Sequence, residues 1–452
     1  MFNRLKTHFF SPQSIAPLVV FRILFGLATL ISTTRFLVLD WVDLHFVDTQ
    51  VQFKYFGFEW VQLAPPVIMY AIHYLLILAS LGIVFGAFYR ISITLFFVLF
   101  TYCELIDITY YLNHYYFVSI VAFMLIWVPA NAYFSYDSFN NKKWVRTQIP
   151  AWNIYIFKWQ LCLVYFFAGL AKINETWLLE ALPLKIWLPA NSHFPFIGWL
   201  FQYPITAYIF SWTGMLFDLC IGFFLFYAPT RFYAWLLVII FHALTGALFQ
   251  IGVFPLVMVV STLIFFSAAF HQKILHFLSR LFPYPLLFEP TAIRNPNYPS
   301  AGRQNLVIMV CILWFSFHVL FPLRYVLYPG NFYWTEEAYR FGWRVMLMEK
   351  AGTATFYVYD KNTQREGVVD NTTFLNSHQE KQMAMQPDLI LQYAQFLKKH
   401  YQEQGIAVEK VRAEVYVTLN AKPSKLLFNE HLNLLAISDS WAPKYWLNRF
   451  EE

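Results

Sequence analysis

The chain has 452 residues, of which 59% are hydrophobic, 21% aromatic and 13% charged, and its formal net charge is +6. Soluble proteins carry about a quarter charged residues, so this composition, with a mean hydropathy of +0.47, excludes an ordinary soluble enzyme. The four cysteines (Cys103, Cys162, Cys220 and Cys311) lie in apolar runs with no C-x-x-C pair, which argues against a zinc ribbon, a redox dithiol and a disulfide scaffold.

Nine apolar runs follow in chain order, at about 15–38, 66–88, 91–108, 115–131, 153–171, 205–227, 232–249, 253–270 and 305–327. Runs of this length cross about 30 Å of hydrocarbon as helices, the third and fourth being short enough to be partly buried or tilted. The first follows Arg4 and Lys6, as a signal peptide does, but it is too long for one and has no small-residue cleavage site, so it reads as an anchor. Of the 58 charged residues, 29 fall in 331–452. The pattern predicts a membrane all-α bundle of about nine transmembrane helices over 1–330. A small extracytoplasmic α+β domain follows over 331–452. Within it, Thr353–Asp360 and Glu366–Val369 flank a turn at Asn362 and Thr363 and read as a hairpin. Asp388–His400 has the period of an amphipathic helix, and Lys410–Leu419 alternates like a half-buried strand. Phe282–Arg303 is proline-bearing and reads as a loop.

Orientation follows from the basic residues. With a cytoplasmic N-terminus, the cytoplasmic segments hold Arg4, Lys6, Arg90, Lys142, Lys143, Arg146, Arg231, Lys273, Arg280, Arg294 and Arg303. The opposite loops hold Lys54, Lys172 and Lys185. That bias is the positive-inside pattern; it places the C-terminal domain outside and accounts for the basic charge without nucleic acid.

Ionisable groups in hydrocarbon cost several kcal/mol and each needs a reason. Arg22, Arg35 and Lys158 sit near span ends and are expected to snorkel. Glu104 and Asp107 are expected at a solvated outer end. Asp218 and His242 lie mid-span and need polar partners, either each other or backbone. Lys172 follows Tyr165–Ala171, where the small residues Ala168, Gly169 and Ala171 would let a helix or a flat ligand approach closely. Two readings of Lys172 stay open on these grounds: a snorkelling lysine at a helix end, or an amine left neutral by desolvation and able to accept a proton.

The segment VYFFAGLAKINETW (164–177) resembles the Y-F-x-A-G-x-x-K-[IL]-x-x-x-W signature of the vitamin K-dependent γ-glutamyl carboxylases and of their bacterial homologues with a horizontally transferred transmembrane domain. NHYYFVSIVAFML (113–125), MLFDLCIGFFLFY (215–227) and FHALTGALFQIGVFPLVM (241–258) resemble further family segments in the same order. So do Gly342-Trp343 with Met346, DLILQYA (388–394) and VTLN (417–420), so that the likeness runs over about 105–440. The resemblance implies an integral-membrane enzyme, in a bacterial inner membrane, that uses a menaquinol-type vitamin K hydroquinone, O2 and CO2. In this family a lysine deprotonates the hydroquinone. Oxygen uptake towards the epoxide then yields a strong base that removes a glutamyl γ-proton, and CO2 adds to the carbanion.

By motif match Lys172 takes the base position and His114 assists it, while Asn113, Gly169, Asp218, His242 and Trp343 belong to the cofactor pocket. Implied partners are membrane lipid, the quinol and a secreted glutamate-containing peptide or protein; no metal or nucleic acid is implied. The chain departs from the family pattern W-x-M-M-x-H, reading Trp343-Arg344-Val345-Met346-Leu347-Met348 without that histidine. Two alternatives therefore stand beside the carboxylase: a hydroquinone epoxidase that does not carboxylate protein, and a non-enzymatic membrane module for transport or interaction.

Overall fold

The computed structural model describes residues 2–249, 251–281 and 300–450. Among the described residues, seven helices are long and apolar enough to cross a membrane: Ala16–Val38, Pro66–Phe85, Tyr89–Ile106, Trp152–Leu170, Pro204–Phe226, Arg231–Leu248 and Ala301–Leu327. Two of the nine expected runs do not form a single long apolar helix. Asn113–Trp127 is a shorter apolar helix, and Phe254–Phe265 meets Ala268–Arg280 at a 119° bend that makes the pair a broken span or a re-entrant loop. Most of the expected loop at Phe282–Arg303 lies outside the described residues.

Local chemistry sets where the helices begin and end. Pro66 and Pro204 open theirs, where a missing N–H costs nothing. Gly86 closes Pro66–Phe85 in the left-handed conformation (φ +59°). The Asp137 carboxylate then accepts the N–H groups of Phe88 (2.8 Å) and Tyr89 (2.9 Å), holding the first turn of Tyr89–Ile106. Arg22 does not snorkel. It is fully buried and donates to the carbonyls of Phe134 (2.7 Å) and Val84 (3.3 Å), so it ties the Phe134 loop to the last turn of Pro66–Phe85 at this end of the bundle. Strands β1 (Pro12–Ser14) and β2 (Gln148–Pro150) pair at the same end, and Lys6 reaches Asn305 there (2.8 Å).

The opposite end carries the C-terminal domain. Its four-stranded antiparallel sheet has the order β4-β3-β5-β6, from β3 (Lys350–Asp360), β4 (Arg365–Val369), β5 (Val408–Leu419) and β6 (Lys425–Leu426). The expected hairpin is β3–β4, and the expected strand lies within β5, whose buried positions largely alternate with exposed ones. The helix Pro387–Glu403 buries Leu389, Tyr393 and Leu397 with Phe356, Val411 and Val415 of the sheet in one apolar core. Polar clamps join this domain to the helical part. Gln392 exchanges hydrogen bonds with the Lys54 backbone (2.7 and 3.0 Å), and Gln379 donates to Asp107 (2.8 Å). Asp107, expected in solvent, is only 3% exposed and belongs to this seam.

Candidate active site

The helices Trp152–Leu170 and Pro204–Phe226 meet at a glycine. A Cβ on Gly169 would stand 2.6 Å from the backbone nitrogen of Leu219, so only glycine allows this approach. Gly169 therefore packs against the next helix backbone and does not line the cavity described below. The close approach sets the main polar contact of the membrane part. The first helix ends at Leu170, and Lys172 turns its amine back to donate to the Ala168 carbonyl (3.1 Å) and to Asp218 Oδ2 (2.8 Å). Both side chains are less than a tenth exposed. An ammonium in such a place would be unstable alone, and the carboxylate offsets that. The partner of Asp218 is thus Lys172 and not His242. The lysine that the sequence reading left either snorkelling or neutral has an acid beside it.

The pair lines a cavity of about 110 Å³. Val164, Tyr165, Ala168 and Lys172 form one wall; Phe210, Gly214 and Asp218, spaced four apart on one helix face, form the second. A third wall comes from Phe241, His242 and Thr245 of the Arg231–Leu248 helix. His242 Nε2 meets the Tyr165 hydroxyl at 2.9 Å, while its Nδ1 is buried without a partner. The segment after Lys172 folds over the cavity. Asn174 caps the short helix Glu175–Leu178, Trp177 donates to the Ser211 carbonyl (3.0 Å), and its ring lies 5.5 Å from the Lys172 amine. The C-terminal domain adds Val345 and Met346 to the lining.

The structure brings together Lys172, Asp218 and His242. It places the other sequence-derived residues around them. His114 is buried outside the lining, and the Phe254 ring lies between it and His242, 5.5 Å from the one and 5.6 Å from the other. Asn113 donates to the Arg344 carbonyl (2.9 Å) and accepts from Tyr111 (3.0 Å), which fastens the 113–127 helix to the exterior segment. Trp343 is buried on Tyr116 at 5.0 Å, two residues short of the lining residue Val345. Sequence reasoning missed Trp187 and Val345, and it gave no site role to Tyr165, Trp177 and Met346, although each stands in a segment that carries the resemblance. Tyr165 and Trp177 stand inside the motif already quoted, where an aromatic flanking the lysine was the available signal.

The cavity suits a flat, mostly apolar ligand with a few polar atoms. Its walls are mostly aromatic and aliphatic, and the polar residues Lys172, Asp218 and His242 are among those that line it. A second cavity of about 30 Å³, with His45, His73 and Glu104 in its lining, has room for little more than a water molecule. Among the described residues, no group of three or more His, Cys, Asp and Glu side chains is arranged to hold a metal ion.

Two family models match the sequence. Residues 10–270 match the HTTM domain, and residues 303–452 match the lumenal domain of vitamin K-dependent gamma-carboxylase. No solved structure matches the chain.

Proposed function

The chain belongs to the vitamin K-dependent gamma-carboxylase family, and from that premise we propose that it is a membrane enzyme whose Lys172–Asp218 pair removes a hydroxyl proton from a menaquinol-type vitamin K hydroquinone. The bound hydroquinone, with O2, would supply the strong base that takes a glutamyl γ-proton before CO2 adds. What the chain supplies is a dry pocket and a proton acceptor. The Lys172 amine lies 2.8 Å from Asp218 Oδ2, so a proton passed along this contact to the carboxylate would leave the amine able to take another. His242 Nδ1 offers a hydrogen bond to a ligand oxygen, with its other nitrogen engaged by Tyr165. Gly169 fixes the pair by letting the two helices touch. Phe254 keeps His114 off the cavity, so His114 is assigned to positioning that wall. The aromatic walls and the cap at Trp177, Val345 and Met346 exclude water, which would otherwise quench a strong base.

The observation that carries this reading is a buried lysine–aspartate pair on the wall of an apolar, membrane-level cavity. The test is quinol-epoxide formation by purified protein: Lys172→Ala should abolish it, and unchanged epoxidation would remove Lys172 as the base. A second reading keeps this quinol step without protein carboxylation. It rests on Met348, half-buried where the family pattern has histidine. Labelled bicarbonate appearing in a glutamyl peptide would favour the first reading over the second. We further propose nine crossings, counting Asn113–Trp127 and the bent pair, with the N-terminus cytoplasmic in a bacterial inner membrane and the C-terminal domain facing a secreted substrate.

A further inference from the structure

The membrane helices contain two kinds of buried glycine. A Cβ on Gly26, Gly169 or Gly222 would stand 2.8, 2.6 or 2.8 Å from Val84, Leu219 or Cys162 respectively. Helix packing explains each of these. Gly214 is different. It is buried in the interior of Pro204–Phe226, and a Cβ built on it meets no atom within 4 Å. Its φ is not left-handed, so no backbone conformation demands glycine. Glycine inside a helix costs stability relative to alanine, yet no neighbouring atom here profits from the missing side chain.

The space belongs to the cavity. Gly214 lines it one turn from Asp218 and one turn from Phe210, on the helix face that carries both. His242 lines the same cavity, and its Nδ1 has no hydrogen-bond partner in the protein. Trp177, Trp187 and Phe241 contribute rings around it.

We infer that Gly214 is a specificity-determining residue whose absent side chain leaves a slot against the helix backbone for the edge of a flat bicyclic quinol ring, beside the Lys172–Asp218 pair. This rests on the proposed function and names the part of the site that admits the ring. A larger side chain at 214 fills the slot from within and competes with the ring for the same volume. The Cβ of such a side chain enters open space, so alanine does not strain the protein there, and the helix gains from losing a glycine. Ligand affinity and fold stability therefore move in opposite directions, which a structural glycine would not produce.

The experiment uses the purified full chain as wild type, Gly214→Ala and Gly214→Val. Each is titrated without oxygen against reduced menadione, which has the bicyclic ring and no tail, and against reduced phylloquinone, which has both. Quenching of tryptophan fluorescence reports binding, and thermal unfolding of the ligand-free protein reports stability. Gly214→Val should weaken both quinols about tenfold or more, with a smaller loss for Gly214→Ala. Ligand-free Gly214→Ala should not melt below wild type. Wild-type affinity of Gly214→Val for both quinols would overturn the slot and leave the quinol reading standing. Loss confined to phylloquinone would overturn it as well, because the space would then hold the tail. A lower melting temperature for ligand-free Gly214→Ala would make the glycine structural and end the inference. Wild type binding neither quinol would remove the proposed function and the slot together.

Discussion

At Lys172 and Asp218 the energetics and the chemistry depend on the same contact. Each group, buried alone, would carry an uncompensated charge, and removing one partner of a buried pair costs about 3–5 kcal/mol. Asp218→Asn should therefore destabilise the protein by roughly that amount, read as unfolding of the detergent-solubilised chain. Replacing both residues, as in Lys172→Met with Asp218→Leu, should recover most of the loss, since neither charge remains to be buried. The double variant should stay inactive in quinol epoxidation. Equal stability of Asp218→Asn and wild type would show that the pair bears no charge cost. The sequence placed Lys172 at a catalytic position but gave it no acid, because Asp218 lies 46 positions away on another helix. Spacing on one helix cannot report a contact made by two. Tyr165 escaped notice for a related reason: its hydroxyl matters only once His242 is seen 2.9 Å away.

Elements of the C-terminal domain were legible where periodicity is strong, as in β3, β4, β5 and the helix Pro387–Glu403. The segment 336–346 was not. Its backbone is left-handed at Glu336, Ala338, Phe341, Trp343 and Met346, with φ between +54° and +59°, and each such non-glycine residue costs about 1 kcal/mol or more. No local propensity favours that path, so tertiary ties must hold it. Arg324 donates to the Arg340 carbonyl (2.5 Å), Lys350 donates to Glu336 and to the Trp334 carbonyl (2.8 and 2.9 Å), and Arg340 pairs with Asp388 (2.6 Å). Burial alone would raise the Asp388 pKa, but the Arg340 guanidinium outweighs it and holds the carboxyl below its ordinary value. Its contribution to stability is then complete above the unfolded pKa of about 3.9 and lost as pH falls through the lower folded value. Unfolding of the protein should therefore show a stability loss on acidification below about pH 4. Asp388→Asn should be less stable at neutral pH and show a flatter acid limb. A variant with the wild-type acid limb would clear Asp388 of this role. The same tie governs the cavity, because this segment carries Val345 and Met346 into its lining.

For the whole molecule, the contacts sort the chain into two ends. One gathers Lys6, Asn305, Asp137 and the β1–β2 pair; the other gathers Lys54, Asp107, Asn113, Trp187 and the C-terminal domain. Among the described residues, seven helices are long and apolar enough to run between them, whereas Asn113–Trp127 is short and Phe254–Phe265 is bent against Ala268–Arg280. The basic residues Arg4, Lys6, Arg90, Lys142, Lys143 and Arg146 belong to segments at the first end, and positive charge resists translocation. That end should face the cytoplasm, and the C-terminal domain should face outward. Lys399 is 80% exposed on the domain, and Lys142 is exposed at the opposite end, so a thiol at either position reports its own side. The four native cysteines are all half-buried and set a low background. In intact expressing cells a membrane-impermeant maleimide should label Lys399→Cys, and it should label Lys142→Cys only after lysis. The reverse pattern would turn the molecule over. A glutamyl substrate reaching the cap at Val345 and Met346 would then come from the cytoplasm, and the secreted partner would have to be given up while the quinol chemistry stood.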